Sequence, residues 1–386
     1  MLINLEDKVY SIGLMSGTSL DGIDVCLASH QNNHHELIQF RSYAYSDELR
    51  QKILTASKLD SSNVQLICSL NKELGIAYVD AINQFLKDTN TNIDDIAFIA
   101  NHGQTIWHNP ESINGTFPST LQIGDASYIS YKLNKTVVFD FRSLDISAGG
   151  CGAPLVPVID YLLFKDKAPA ILLNIGGISN ITYMKKNASI SDIYAFDTGP
   201  GNMLIDMACM KLFNKSFDID GKIAETGTVS EELLEYLMSD EYFKLLPPKS
   251  TGREKYSEYF LDDVIKKAKN LSLSSEDVIA TLTAFTAKSI INQVETFVCS
   301  FNSGELIVSG GGANNPYLVK LLKKYKSKSY DVKTGFELGY NSDAKEAVGF
   351  VVLGYLRIMN KPSNIVSVTG AKKEISLGSI VLPQEF

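Results

Sequence analysis

The chain has 386 residues, 45% of them apolar and 21% charged, which is the composition of a globular protein long enough for two domains. Its net charge of −8 argues against nucleic acid and against a membrane surface as partners, because either would need a basic face. Five scattered cysteines without a C-x-x-C pair argue against a disulfide framework and a structural zinc site. No leader-like pattern and no apolar run of membrane length occurs, so we expect a cytoplasmic protein.

The first half of the chain begins with strands. Three strand patterns within the first 45 residues are joined by short links and predict antiparallel hairpins. Apolar residues at three- and four-residue spacing then predict helix over 48–87, broken near 59–63. A short apolar strand at 96–103 that ends in a turn, a helix near Ala126–Leu133 and a strand at 136–142 follow.

The second half repeats this plan after a loop rich in glycine and proline. A strand, a glycine turn and a second strand span 169–184, and a further strand leads to a helix from about Met203. The remaining predicted elements are helices near Glu231–Met238, Tyr259–Lys269 and Asp277–Cys299, a strand with a glycine turn at 305–318, and a last helix from Asp343 to Met359. This weak repeat predicts a duplicated α/β unit, in which ligands collect at the carboxyl ends of strands.

Three glycine-rich turns are the first candidates for binding: SGTSLDG (16–22), NIGGISN (174–180) and SGGGANN (309–315). None matches the P-loop or the dinucleotide fingerprint. The first two join strand to strand, so each could offer backbone N–H groups to phosphate or be an ordinary hairpin turn. The third precedes a helix and suits adenosine or ribose, or is a plain strand–helix connection.

Asp197 in FDTGPGN (196–202) is the most specific candidate for catalysis. A carboxylate at the end of a strand facing a phosphate loop could act as a base in phosphoryl transfer, and the alternative is a turn-forming Asx cap.

Other polar positions are less specific. Arg142 could clamp a carboxylate or phosphate, or pair with Asp140 or Asp145. His102 and His108 have poor spacing for a metal on a turn. The composition of 248–256 favours a solvated loop.

Taken together, the motifs MSGTSLDGID, HGQTIWH, NIGGISN, FDTGPGNMLID, STGRE and SGGGANNP occur in one order. Together they closely resemble the anhydro-N-acetylmuramic acid kinase family, within the superfamily of acetate and sugar kinases, Hsp70 and actin. The resemblance extends from about Ile12 to Pro383.

The resemblance implies an α/β fold with two ribonuclease H-like domains flanking a nucleotide and sugar cleft. We expect an N-terminal domain of residues 1–141 plus about 366–386 and a C-terminal domain of 142–365. The implied reaction uses ATP with Mg²⁺ to phosphorylate a 1,6-anhydro amino sugar from peptidoglycan while water opens the anhydro ring. A homodimer is compatible with the family. The alternatives are a superfamily sugar kinase that phosphorylates an ordinary hydroxyl and a nucleotide-driven conformational ATPase.

The resemblance also assigns roles to residues. Asp197 matches the catalytic base, and Arg142, Gln104 and Glu346 match the substrate site. The positions matched to the nucleotide are Gly17, Thr18, Ser19, Leu20, Asp21, Gly22, Ile23, Asp24, Gly176, Gly177, Gly310, Gly311 and Gly312. Two departures from the family pattern are Cys151 in place of glutamine and Lys345 in place of methionine.

Overall fold

The computed structural model describes residues 8–17, 20–32, 34–112, 115–252, 255–338 and 344–384. The strands are β1 Val9–Ser16, β2 Gly22–Gln31, β3 His34–Ala44, β4 Ile96–Asn109, β5 Ser119–Ile123, β6 Thr136–Phe139, β7 Ala170–Ile175, β8 Ile178–Met184, β9 Tyr194–Pro200, β10 Glu305–Ser309, β11 Asp331–Thr334 and β12 Ser379–Val381. The helices are α1 Asp47–Ala56, α2 Val64–Thr89, α3 Ala126–Leu133, α4 Ser143–Ser147, α5 Val156–Phe164, α6 Met203–Phe213, α7 Lys222–Thr226, α8 Glu231–Met238, α9 Glu258–Asn270, α10 Ser275–Phe297, α11 Pro316–Tyr325, α12 Lys345–Ile358 and α13 Val366–Thr369.

Two compact units divide the chain. Unit 1 comprises Met1–Leu163 and Asp343–Phe386, and unit 2 comprises Phe164–Ser342. The domain boundaries and the cleft expected from the sequence stay predictions. No helix in the described ranges is long and apolar enough to cross a membrane.

The sheet of unit 1 has the strand order β12-β6-β4-β1-β2-β3, with β5 paired to β4. Strands β1, β2 and β3 form the predicted antiparallel hairpins, while β4 runs parallel to β1 and β6 parallel to β4. Helix α12 packs on β1, β2 and β4. It approaches β1 so closely that a Cβ on Gly13 would lie 2.5 Å from the Ala347 carbonyl oxygen.

The sheet of unit 2 repeats this order as β9-β8-β7-β10-β11. Strands β7, β8 and β9 are antiparallel, and β10 and β11 continue in parallel from β7. Each sheet therefore starts with two hairpins and is extended by parallel strands on the other side of its first strand. The predicted α/β class and the internal repeat are confirmed.

Local sequence explains where the long helices begin and end. Asn63 caps α2 by accepting from the Leu66 N–H, and Asn90 ends it in the left-handed conformation. Ser274 and Asp277 form a reciprocal capping box at the start of α10. Helix α10 is buried along most of its length in the core of unit 2, which explains its nearly unbroken apolar and small residues.

Three local predictions were wrong. Strand β4 does not end in a turn near 103 but continues to Asn109, because 104–109 pair with β5. Asp197 does not end its strand, since β9 continues through Pro200. Helix α5 was missed because its residues apart from Asp160 are apolar, so it shows no helical periodicity.

Candidate functional site

Unit 1 contains a cavity of about 200 Å³ beside the first glycine turn. Three predicted site residues meet there: Gly17, Arg142 and Glu346. Its other lining residues are Met15, Ser16, His102, Thr105, Leu155, Val156, Ile159 and Phe350. The cavity therefore combines an apolar wall with one cation, one carboxylate and the backbone of the turn, which is the usual make-up of a small-molecule site.

Arg142 is held from two sides. Its Nε and Nη2 donate to the His102 Nε2 at 3.2 and 3.1 Å, and its Nη1 donates to the Gly152 carbonyl at 2.9 Å. Arg142 thus pairs with neither Asp140 nor Asp145, so the structural alternative proposed for it was wrong. A guanidinium has five N–H donors, and these bonds use three of them. Among the residues that the structure describes, the other two donors have no partner and are available to a ligand.

His102 is the residue near this cavity whose role the sequence did not predict. Burial and the Arg142 charge lower its pKa to about 3, so the ring is neutral. Because Nε2 accepts from Arg142, the single ring proton is assigned to Nδ1. His102 is 3% exposed and packs 4.4 Å from the Phe350 ring, centroid to centroid. His102 belongs to the motif HGQTIWH, which was the clue in the sequence to a role for this residue. The structure places the motif on β4 and not on a turn.

Glu346 lies at the first turn of α12. Burial raises the pKa of its carboxyl, and the nearby Lys345 and Arg142 charges act in the opposite direction. Glu346, which is exposed, and the half-buried Arg142 therefore place opposite charges at one cavity.

Buried side chains hydrogen-bond to the first glycine turn. Gln104, fully buried, donates from Nε2 to the Gly17 carbonyl at 3.3 Å and accepts from the Tyr45 hydroxyl. The Ser16 hydroxyl lies within hydrogen-bond distance of the Tyr45 and Tyr78 hydroxyls, at 2.9 and 3.1 Å. Gln104 does not line the cavity. Its observed contact with the site is the hydrogen bond to the Gly17 carbonyl, which holds the turn in place.

The other residues matched to this turn differ in what they can offer a phosphate. Leu20 and Ile23 have side chains in the core of unit 1, so only their backbones are available. Asp24, in β2, accepts from the Ser42 hydroxyl. Asp21 precedes β2, which Gly22 begins. Thr18 and Ser19 lie outside the described residues.

The glycine motifs of unit 2 converge at the carboxyl ends of the parallel strands β7 and β10. The Gly176 carbonyl accepts from the Asn202 N–H at 2.8 Å, and the Gly177 carbonyl accepts from the Gly201 N–H at 2.9 Å. Gly310 has φ +78° and contacts the end of β7. This junction is where an open α/β sheet binds ligands. The positions Gly176, Gly177, Gly310, Gly311 and Gly312, predicted separately, are therefore brought together.

Two asparagines stand at the starts of helices in this junction. Asn315 accepts from the Leu318 N–H at 3.0 Å and caps α11. Asn202 stands at the start of α6 but makes no side-chain cap, and instead donates to the Ile175 carbonyl at 3.4 Å.

Asp197 is fixed by the segment before α9. Its Oδ2 accepts from the Thr251 N–H at 3.0 Å, and its own N–H donates to the Lys249 carbonyl at 3.1 Å. Lys249 is half-buried, with Nζ bonded to the Tyr242 carbonyl and to Gln293 Oε1. The loop expected at 248–256 is present, but Lys249 and Thr251 are half-buried and Tyr256 is buried, so it is not solvated throughout. Arg253 lies outside the described residues.

A second cavity, of about 370 Å³, opens beside Gly311 in unit 2. Asn202 just before α6 and Asp206 on its first turn lie on this cavity, and its other polar side chains are Asp218, Asp220, Asn314 and Asn315. Burial raises the pKa of Asp206 to about 6. The apolar part of the rim comes from Phe217 and Ile219, whose side chains are more than half exposed.

Across the described ranges, no group of three or more His, Cys, Asp or Glu side chains could hold a metal ion.

Comparison with known proteins decides the family. A family model described as anhydro-N-acetylmuramic acid kinase matches residues 9–383. The chain belongs to the anhydro-N-acetylmuramic acid kinase family. A relative with this name from Clostridioides difficile (strain 630) is 44% identical over 384 residues, covering 98% of this chain and 99% of the relative. The relatives from Francisella tularensis subsp. novicida (strain U112) and Bacillus cereus (strain AH820) are 46% and 42% identical over 97% of the chain, and 99% and 100% of their own lengths are matched. The family predicted from the motifs is confirmed.

Proposed function

We propose that the protein is an ATP-dependent anhydro-N-acetylmuramic acid kinase, which converts 1,6-anhydro-N-acetylmuramic acid to N-acetylmuramic acid 6-phosphate and ADP. The observation that carries this proposal is the family match from residue 9 to residue 383, which includes every motif assigned to the site. In the cell this reaction would serve the recycling of peptidoglycan.

The glycine junction of unit 2 is proposed as the nucleotide site. Small residues let a phosphate chain lie against backbone, and the cavity beside Gly311 has room next to them for a nucleoside. Asp206 would accept from ribose hydroxyls, and Phe217 would cover one face of the base. Mg²⁺ would accompany the nucleotide, held through phosphate oxygens and water. It would neutralise charge on the transferred phosphoryl group.

The cavity of unit 1 is proposed as the sugar site. The two free N–H donors of Arg142 suit the carboxylate of the muramic acid side chain, because a guanidinium binds a carboxylate in bidentate fashion. Glu346 would accept a hydroxyl or amide hydrogen of the sugar. The apolar wall of Leu155, Val156 and Phe350 would pack against the ring.

The chemistry follows from the bicyclic substrate. Oxygen 6 is an ether oxygen bonded to carbon 1, so it has no proton to lose. Asp197 removes a proton from water, and the water oxygen forms a bond to carbon 1. The C1–O6 bond breaks, and its electron pair on O6 forms the bond to the γ-phosphorus. The bond from that phosphorus to the β-bridging oxygen breaks, and ADP leaves.

An ATPase assay with and without 1,6-anhydro-N-acetylmuramic acid tests the proposal. ADP release that depends on the anhydro sugar supports it, and release that is independent of the sugar supports a conformational ATPase instead. Phosphorylation of ordinary amino sugars without uptake of water would support the other alternative, a sugar kinase.

Two further expectations belong to this proposal. A cytoplasmic location follows from the need for ATP, and cell fractionation tests it. A homodimer remains a prediction that light scattering on the purified protein tests.

A further inference from the structure

A buried ion pair joins two helices behind the cavity of unit 1. Lys345 Nζ on α12 lies 2.5 Å from Asp160 Oδ1 on α5, and the two side chains are only 9% and 3% exposed. Burying either charge alone would be strongly unfavourable, so each residue requires the other. The pair therefore constrains how α5 and α12 pack.

The same two helices supply much of the cavity wall. Residues four apart lie on one face of a helix, so Lys345 and Gly349 share one face of α12, while Glu346 and Phe350 share the next. A Cβ on Gly349 would lie 2.3 Å from Ile159, which shows how closely the first face meets α5. The second face, with Glu346 and Phe350, lines the cavity.

The charges around Glu346 come from every side of the cavity. Arg142 and Lys345 favour its ionised form, whereas Asp24 on β2 and Asp160 on α5 oppose it. The cavity also contains His102, which is neutral because its pKa is lowered to about 3. Lys345 and Asp160 thus act on Glu346 with opposite signs, although they neutralise each other.

We propose that Lys345 is a positioning residue: by pairing with Asp160 it fixes α12 against α5, so that Glu346 is held in place at the cavity. The inference rests on the proposed function for the identity of the sugar, and on the ion pair and helix faces for everything else.

The test compares Lys345→Met, Asp160→Asn and the double variant with the wild type. Removal of the lysine removes a cation and leaves Asp160 uncompensated, so the pKa of Glu346 should rise. Removal of the Asp160 charge should lower it. In the pH profile of kcat/KM for the anhydro sugar, the acidic limb is therefore expected to move to higher pH in Lys345→Met and to lower pH in Asp160→Asn.

Magnitudes and controls sharpen the comparison. Each single variant should lose about tenfold in kcat/KM for the sugar at neutral pH, with the KM for ATP unchanged, and the double variant should recover most of the loss. Lys345→Arg, which retains the cation, should stay near the wild type. Lys72→Met removes an exposed pair with Asp125 in the same unit and should change neither the limb nor the KM.

Two outcomes would overturn the proposal. One is a fall in thermal stability with no shift of the limb in either single variant, and the other is a shift in the same direction in both. The titration of Glu346 itself, read from ¹³C-labelled glutamate by difference with Glu346→Gln, is independent of turnover. If the wild type fails to use the anhydro sugar, the proposed function fails, and this titration still decides whether the ion pair sets the charge of Glu346.

Discussion

The carboxylate of Asp197 accepts a hydrogen bond from the Thr251 backbone N–H, 3.0 Å from its Oδ2. The donor is a backbone group, so it stays in place whatever side chain stands at 251. Asparagine at 197 could keep this bond through its amide oxygen. A substitution there therefore separates the basicity of the carboxylate from its geometry.

Asp197→Asn should reduce kcat by about 10²–10⁴-fold, the range that general base catalysis contributes. The Kd for ATP, measured by calorimetry, should stay within about twofold, because the nucleotide is assigned to the glycine junction. Near-normal turnover in this variant would remove Asp197 from its proposed role.

His102→Leu removes the acceptor for two N–H groups of Arg142, whereas His102→Gln retains one. Hydrogen bonds to charged groups contribute about 1.5–3 kcal/mol, so the Leu variant should raise the KM for the anhydro sugar about tenfold or more. The Gln variant should show a smaller rise, and the KM for ATP should not change in either. Because the pKa of His102 is lowered to about 3, no step in the sugar KM between pH 5 and pH 8 should come from this ring. Equal effects on both substrates would contradict its assignment to Arg142.

Two glycines of unit 2 make a matched pair. A Cβ on Gly201 would lie 2.3 Å from the Gly176 carbonyl oxygen, so Gly201→Ala should displace the junction and lower the melting temperature. A Cβ on Gly176 would have its nearest neighbour at 3.6 Å, so Gly176→Ala should fold normally. If the phosphates lie on this turn, Gly176→Ala should weaken ATP binding in spite of its normal stability. Unchanged ATP affinity would place the phosphates elsewhere.

The raised pKa of Asp206 leads to a specific prediction for the pH dependence of the free energy of unfolding. Its pKa is raised to about 6 in the folded protein, so the unfolded chain loses this proton at lower pH than the folded protein does. The free energy of unfolding should therefore decrease as the pH rises from about 4 to 6, and Asp206→Asn should remove this decrease. Above pH 6 the variant should be more stable by about 1 kcal/mol, a figure discounted for the partial exposure of the carboxyl.

Asp220, an exposed carboxylate on the same cavity that pairs with Lys222, offers a comparison variant for this experiment. Asp220→Asn retains Asp206, so the decrease in stability that Asp206 causes should remain. Asp206→Asn should also weaken ATP binding about tenfold if the carboxylate accepts from ribose. A variant that is less stable than the wild type at pH 7 would contradict the assigned burial effect.

Local patterns in the sequence predicted the parts of the fold that local patterns determine. Antiparallel hairpins, amphipathic helices such as α2, and glycine turns at strand ends are encoded within a few neighbouring residues. The extension of β4 beyond Gly103 was not predictable in this way. Four of the six residues 104–109 are polar, and pairing with β5 makes them a strand.

The candidate site was predictable as a set of motifs but not as a set of contacts. Asp197, Arg142 and Glu346 could be recognised because each matches a position of the family pattern. Their partners Thr251, His102 and the Lys345–Asp160 pair come from distant segments, and no local periodicity indicates which of these side chains meet. Asp206 likewise looked like one more helix residue until its burial beside the second cavity was known.

The position of a water-derived oxygen atom in the product tests the central proposal most directly. The reaction is run in ¹⁸O-labelled water with ATP and 1,6-anhydro-N-acetylmuramic acid, and the product is analysed within minutes by mass spectrometry. Unlabelled product kept in labelled water for the same time corrects for exchange at carbon 1. The proposal predicts a product heavier than the substrate by one water and one phosphoryl group, with the label at carbon 1 and none in the phosphate. A phosphorylated product that retains the anhydro bridge and carries no label would contradict it.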